Sequence, residues 1–312
     1  MSAEVTLVTG GGGFAGGHLI DLLVARAQPV VAWHRPGESP AARDGVVWRA
    51  VDILQADDVR AAVNDDQPGR VYHCAGAAHV GHAWDRTADT LATNVLGTHH
   101  LLDALRRVRP DARVLIPSSA LVYVPSDQAL TEEAPLRPAN PYGLSKLAQE
   151  MLGIGTVDGP RVWVARPFNH FGPRQSSSFV TAAFARQIAE IEAGLQPPEI
   201  AVGNLEARRD LTDVRDTVNA YTRILEHGVA ERPYNVCSGT ALRVQELLDR
   251  LLQRAHCAIR VVVDPSRYRP NDTPLVLGSH QRITTELGWR PDLSADQTLD
   301  DLLDYCRRRT AS

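Results

Sequence analysis

The feature that most constrains this chain is a run of glycines between a short apolar segment and an amphipathic pattern, TLVTGGGGFAGGHLIDLLV, Thr6 to Val24. Gly10, Gly13 and Gly16 stand in the spacing G-x-x-G-x-x-G, after a predicted strand and at the opening of a predicted helix. One glycine at such a turn takes positive φ, and one without Cβ lets backbone approach a pyrophosphate. The third lets helix and strand pack closely while the helix N-terminus faces the anion. Phe14 and Ala15, inside the motif, belong to the same candidate dinucleotide-binding set.

Downstream, apolar runs of strand length alternate with amphipathic segments: Val5–Thr9, Pro29–Trp33, Val46–Asp52, Arg70–Gly76, Arg113–Ser119 and Arg161–Pro167 are candidate strands. The alternation predicts an α/β fold, a Rossmann-type doubly wound parallel sheet that binds ligands at the carboxyl ends of its strands. After Arg166 the pattern loosens into a smaller C-terminal α+β substrate lobe. The expected division is a dinucleotide-binding domain over 1–166, with a returning segment near 210–238, and a lobe over 167–312. A length of 312 residues suits one large domain carrying a smaller lobe.

A formal net charge of -4 gives no sign of nucleic acid or membrane binding. No apolar run approaches the ~18 residues of a membrane span, and no signal sequence opens the chain. Cys74, Cys237, Cys257 and Cys306 are widely separated and form no CxxC pair, which reads as reduced thiols in a cytoplasmic protein.

Which dinucleotide binds is reported by the end of the second strand. NAD-binding chains place a carboxylate there for the ribose hydroxyls, whereas His34 and Arg35 occupy this region in AWHRPGES. NADP(H) is favoured, with NAD(H) use remaining open. Asp52 and Ile53 follow the third strand, where a carboxylate can accept from the adenine amino group. Ala75, Gly76 and Ala77 end the fourth in small residues that let backbone pass close to the dinucleotide.

Tyr142 and Lys146 form Y-x-x-x-K just inside a helix whose start is marked by Asn140 as cap and Pro141 as first residue. The spacing puts both on one helical face, where an ammonium lowers a phenol pKa and makes Tyr142 an acid or base near neutrality. Ser119, with Ser118 before it, ends the fifth strand upstream.

With these residues the chain resembles the extended short-chain dehydrogenase/reductases that act on nucleotide-sugars, over nearly all of its length. TGGGGFAGGHL resembles the family's glycine motif, Ser119, Tyr142 and Lys146 match its catalytic set, and Asn94 in TNVLGT matches a structural asparagine near the cofactor. The resemblance implies that tyrosine exchanges a proton with a sugar oxygen while nicotinamide exchanges hydride at the same carbon. Serine would bond the oxygen, and lysine would also hold the nicotinamide ribose.

The stretches RPFNHFGPRQSSSFVTAAFARQIAEIEAG, VGNLEARRDLTDVRDTVNAY, YNVCSG and RPNDTPLVLGSHQRITTELGW resemble the GDP-sugar branch, most closely the GDP-4-keto-6-deoxy-D-mannose reductases. That resemblance implies reduction of a GDP-linked C4 ketone to GDP-D-rhamnose or its C4 epimer. It puts Asn169 against the sugar-diphosphate region and Arg209 and Arg269 on the diphosphate, as guanidinium forks suit phosphate oxygens. The competing reading for each arginine is a surface ion pair, as of Arg208 or Arg209 with Asp210. His79, Ser118 and Val202 complete the candidate substrate set. No metal is expected, because nothing completes a ligand set around His79 and His82. His99 and His100 lie in a helix and pack or face solvent.

The family's 4,6-dehydratases carry an acidic pair after the serine or threonine. Ala120 and Leu121 stand there instead, and neither transfers protons. Glu132 or Glu133, in the following loop, is the one source from which such an acid could be recruited, but both read as solvated. Two other readings remain: a 4-epimerase with tightly bound NAD, and a dinucleotide sensor without turnover. The helices around Thr93–Val108 and Pro141–Gly153 resemble the family's dimer-forming pair, so a homodimer is expected.

Overall fold

The computed structural model describes residues 4–78, 84–267 and 273–311. The first half runs β1 (Thr6–Thr9), α1 (Phe14–Ala25), β2 (Val30–His34), β3 (Val46–Ala50), α2 (Ala56–Asp66), β4 (Arg70–His73), α3 (Thr87–Leu91), α4 (Gly97–Val108), β5 (Arg113–Pro117), α5 (Pro141–Ile154) and β6 (Arg161–Pro167). Then follow β7 (Asn169–Phe171), α6 (Val180–Glu192), β8 (Glu199–Val202), β9 (Arg208–Asp213), α7 (Val214–His227), β10 (Pro233–Val236), β11 (Ala241–Arg243), α8 (Val244–Leu252), β12 (Arg260–Val263), β13 (Leu275–Val276), α9 (Gln281–Leu287) and α10 (Ala295–Thr310).

Seven strands pair in parallel in the order β10-β6-β5-β4-β1-β2-β3. Helices cover both faces, which is why its central strands read as unbroken apolar runs. On one face Leu19, Ile20 and Leu23 of α1 meet Val218, Tyr221 and Ile224 of α7; on the other, Val59 and Val63 of α2 meet Leu101 and Leu105 of α4. The order reverses between β1 and β4, so a crevice opens above their carboxyl ends. The chain leaves this sheet after β6 and returns with α7 and β10. The lobe packs α6, α8 and α10 around Phe184, Ile188, Leu248 and Leu302, with β9 pairing β7, β11 and β13, and β8 pairing β12.

Several strands end sooner than their apolar runs. β3 stops at Ala50, β4 at His73 and β5 at Pro117, and beyond β4 and β5 the chain turns to other partners within a residue or two. The Ala75 N–H donates to Thr9 Oγ1 at 3.1 Å, the Ala77 N–H to Asn94 Oδ1 at 2.7 Å, and Ser119 caps a 3₁₀ turn over Ala120–Val122. The helix expected over Thr93–Val108 also differs. It begins at Thr87 and passes through a π turn, Ala92–Leu96, that carries buried Asn94. Such turns trade regular helical hydrogen bonding for a re-aimed residue.

Candidate active site

Gly10 leaves β1 at φ +65°, and a Cβ there would sit 2.7 Å from the Ala75 nitrogen. A Cβ on Gly16 would lie 2.3 Å from the Gly10 carbonyl oxygen. The turn thus brings α1 against the ends of β1 and β4 with no side chain between. Gly13 caps α1 and offers no side-chain acceptor, so the first N–H groups of the helix remain for an anion. This cradle fits a dinucleotide pyrophosphate. Phe14 and Ala15 are half-buried on its rim.

The other candidate cofactor residues line the same crevice edge. His34 closes β2 half-buried, its Nδ1 3.0 Å from the Arg35 carbonyl oxygen, while Arg35 is exposed. Asp52 accepts the Leu54 N–H at 3.0 Å, and Ile53 packs under Gly97 and accepts from His100 Nδ1 at 3.1 Å. Ala75, Gly76 and Ala77 follow β4 with their backbone partly open. Asn94 is different: it is fully buried, bonding the Ala77 backbone on both sides and donating to Ser145 Oγ at 2.8 Å. It shapes the loop after β4 and is not placed to touch a ligand itself.

Asn140 caps α5 by accepting the Gly143 N–H at 2.8 Å, with Pro141 as the first residue. A Cβ on Gly143 would lie 2.3 Å from the Leu121 carbonyl oxygen, so α5 lies hard against the turn after β5. That contact sets Tyr142 beside Ser119, whose Oγ accepts the Leu121 N–H at 3.1 Å. Ser118 is buried, and its Oγ has no hydrogen-bond partner among the described residues.

The electrostatics depart from the expectation of an acidic tyrosine. Burial pushes the Tyr142 phenol up to about 12, opposed only by the Ser119 hydrogen bond. Lys146 does not act on it here: the ammonium donates along its own helix to Gln149 Oε1 at 2.5 Å. Burial lowers the Lys146 pKa to about 8, with the Cys74 sulfur and the Glu150 carboxylate opposing. Lys146 is also the single lysine in a chain whose other 32 basic residues are arginines, 33 in all. That count marks a position where a guanidinium has not replaced an ammonium.

The model of the family described as GDP-mannose 4,6 dehydratase matches residues 7–302. The chain belongs to this family. It is 39% identical over 301 residues, 95% of each chain, to the GDP-6-deoxy-D-mannose reductase of Pseudomonas aeruginosa. It superposes on RMD of Pseudomonas aeruginosa, solved in complex with NADPH, with a TM-score of 0.86 at 37% identity, covering 98% of this chain and 99% of that one. UDP-glucose 4-epimerase of Thermus thermophilus, solved with NAD, gives a TM-score of 0.86 at 27% identity, covering 97% and 99%.

On the substrate side of this family member, the structure places the candidates unequally. Asn169 is exposed at the start of β7, and Arg209 lies on β9, its guanidinium donating to the Thr273 carbonyl at 2.7 Å. Both strands belong to the small sheet beside the crevice. Val202 is a correction: its side chain is buried in the lobe core and its carbonyl accepts the Asp264 N–H at 2.8 Å, so it presents no side chain to a ligand. His79, His82 and Arg269 lie outside the described residues.

Two ionic expectations also change. Asp210 makes no pair with Arg208 or Arg209; it is fully buried and accepts from the Ser238 N–H and hydroxyl and from the Gly239 and Gly278 N–H groups. Four donors hold it against a burial that raises its pKa. Glu132 is not solvated, because its carboxylate is buried, accepts the Asn235 N–H at 2.9 Å and faces Arg282 at 3.8 Å. Glu133 also pairs with Arg282.

Proposed function

We propose that this chain reduces the C4 ketone of a GDP-4-keto-6-deoxyhexose, with GDP-D-rhamnose or its C4 epimer as product. The observation that carries the reading is the start of α5, with Tyr142, packed through Gly143 onto the turn that Ser119 caps, with Ala120 and Leu121 following the serine. One phenol can protonate one sugar oxygen, and the side chains where a dehydratase needs an acid pair are hydrocarbon. The names of the Pseudomonas aeruginosa relative and of the NADPH-bound structure support substrate class and cofactor.

NADPH, when bound, supplies the hydride. The glycine turn and the α1 N-terminus would hold its pyrophosphate, and His34 and Arg35 the adenosine phosphate. Ser119 donates to the ketone oxygen and polarises it. Tyr142, neutral across the physiological range, is loaded to give its proton as negative charge develops there. Lys146 then stabilises the phenolate left behind. Asn169, Arg209 and Arg269 would bind the sugar diphosphate.

The same reading makes the protein a cytoplasmic homodimer. Leu96 in the π turn and Leu144 and Met151 on α5 are exposed apolar side chains on the helices expected to pair, and the four cysteines are free thiols.

The test is NADPH absorbance with GDP-4-keto-6-deoxy-mannose generated in situ, beside Tyr142→Phe. Oxidation lost in the variant supports the reductase, and the product's C4 configuration names the sugar. Interconversion of nucleotide-hexoses with no added cofactor would establish the epimerase instead.

A further inference from the structure

Lys146 rests at one end of a buried polar chain whose hydrogen bonds can be assigned direction by direction. Its ammonium donates to Gln149 Oε1 at 2.5 Å, and Gln149 Nε2 donates to Thr98 Oγ1 at 2.7 Å. The Thr98 hydroxyl spends its one proton on the Asn94 carbonyl oxygen at 2.6 Å. Thr98 Oγ1 must therefore accept from His73 Nε2, which lies at 2.9 Å. That fixes His73 as the neutral Nε2–H tautomer, with Nδ1 accepting from the Thr9 hydroxyl at 2.9 Å. Thr9 Oγ1 in turn accepts the Ala75 N–H at 3.1 Å, on the loop that passes the dinucleotide crevice. Each member has at least one partner in the chain, and Gln149, Thr98 and His73 are all buried.

We propose that Gln149 is a positioning residue for the catalytic lysine: its amide, anchored by Thr98 and through it by His73, sets where the ammonium rests without binding it as an ion pair. The inference rests on the proposed reduction for its role in turnover, though not for its geometry. A helical side chain leans toward the helix N-terminus, so Lys146 on its own would lean toward Tyr142. Gln149, one turn further on, leans back to meet it and draws it away.

An amide rather than a carboxylate is the point. A neutral acceptor orients the ammonium and adds no charge that would fix its proton or resist its transfer toward Tyr142 and the nicotinamide ribose. Among the described residues Gln149 is the one hydrogen-bond partner of the ammonium, and the Glu150 carboxylate acts on it through its charge. On β4 His73 is pushed down to about 3, and the Cys74 thiol beyond it up to about 12, so both are neutral. Tyr221 on α7 is neutral for the same reason, as is Tyr142. Glu150 on α5 is committed to Arg166.

The single lysine makes the test direct. Protein made with [¹³Cε]lysine and a lysine-free tag carries one lysine signal, whose titration reports Lys146 alone, with or without turnover. Gln149→Glu, nearly isosteric, is expected to raise its midpoint by about one unit or more. Gln149→Met, which removes the acceptor, lowers it, and the alkaline limb of kcat/KM for NADPH oxidation moves in the same two directions. A midpoint unchanged in both folded variants overturns the proposal. Wild-type protein that titrates as expected but does not oxidise NADPH with the keto-sugar overturns the reduction and leaves the role of Gln149 standing.

Discussion

Phe14, the first residue of α1, and His170, in the middle of β7, stack face to face with ring centroids 5.6 Å apart and planes 8° apart. The pair ties the glycine turn to the strand that enters the substrate lobe, and burial keeps His170 on the neutral side of its ordinary pKa. An aromatic pair of this kind contributes about 0.5–1.5 kcal/mol beyond its buried area. His170→Ala should therefore weaken NADPH binding by up to about tenfold, whereas His170→Phe keeps it; a fluorescence titration of NADPH checks both.

Gly16→Ala drives a methyl group to 2.3 Å from the Gly10 carbonyl oxygen, which is backbone and cannot swing aside. Helix α1 must move off β1, and the pyrophosphate cradle opens. We expect loss of measurable NADPH binding, read by calorimetry, together with a lower thermal midpoint.

The carboxylate of Glu150 and the guanidinium of Arg166 are each almost wholly buried and doubly hydrogen-bonded, with Tyr123 taking a further Arg166 N–H at 2.9 Å. Removing one partner strands the other charge. Glu150→Leu should cost about 3–5 kcal/mol in urea unfolding, and Glu150→Leu with Arg166→Met should recover most of it.

His18, half-buried, and His73, fully buried, have their pKa values lowered to about 4 and about 3 by desolvation. Both therefore stay neutral in the folded protein at pH values where the unfolded chain takes up protons. The stabilisation they lend is fully present above the unfolded value of about 6.5 and drains away as pH falls toward the folded values. Thermal midpoints should fall steadily from pH 7 to pH 4, and His73→Gln should flatten the slope.

Much of the site was legible because it rests on local chemistry. Asn140 and Pro141 announce the start of α5, and that start fixes where Tyr142 points. The glycine spacing announces its turn for the same reason. What escaped depends on contacts between distant segments. Asp210, preceded by two arginines in sequence, reads as half of a surface pair; it is buried because donors converge on it from residues 238, 239 and 278. Val202 closes a four-residue strand, too short for alternation to tell the core face from the open one. Lys146 was expected to meet Tyr142 because helical spacing allows it, and no periodicity reveals that Gln149 competes for it. The absence of any other lysine is a second signal in the sequence, beside the Y-x-x-x-K spacing, that sets Lys146 apart.

The return of the chain to its large sheet bears on how the protein is made. β10 supplies the strand beside β6, yet it is translated only after β7, β8 and β9 and the helices among them. Until residues 233–236 leave the ribosome, β6 is a bare edge of apolar side chains with nothing to pair on its outer side. The nascent first half must wait for part of the second, and a polypeptide cut after Pro167 would be a template for clumping rather than a free-standing cofactor-binding unit.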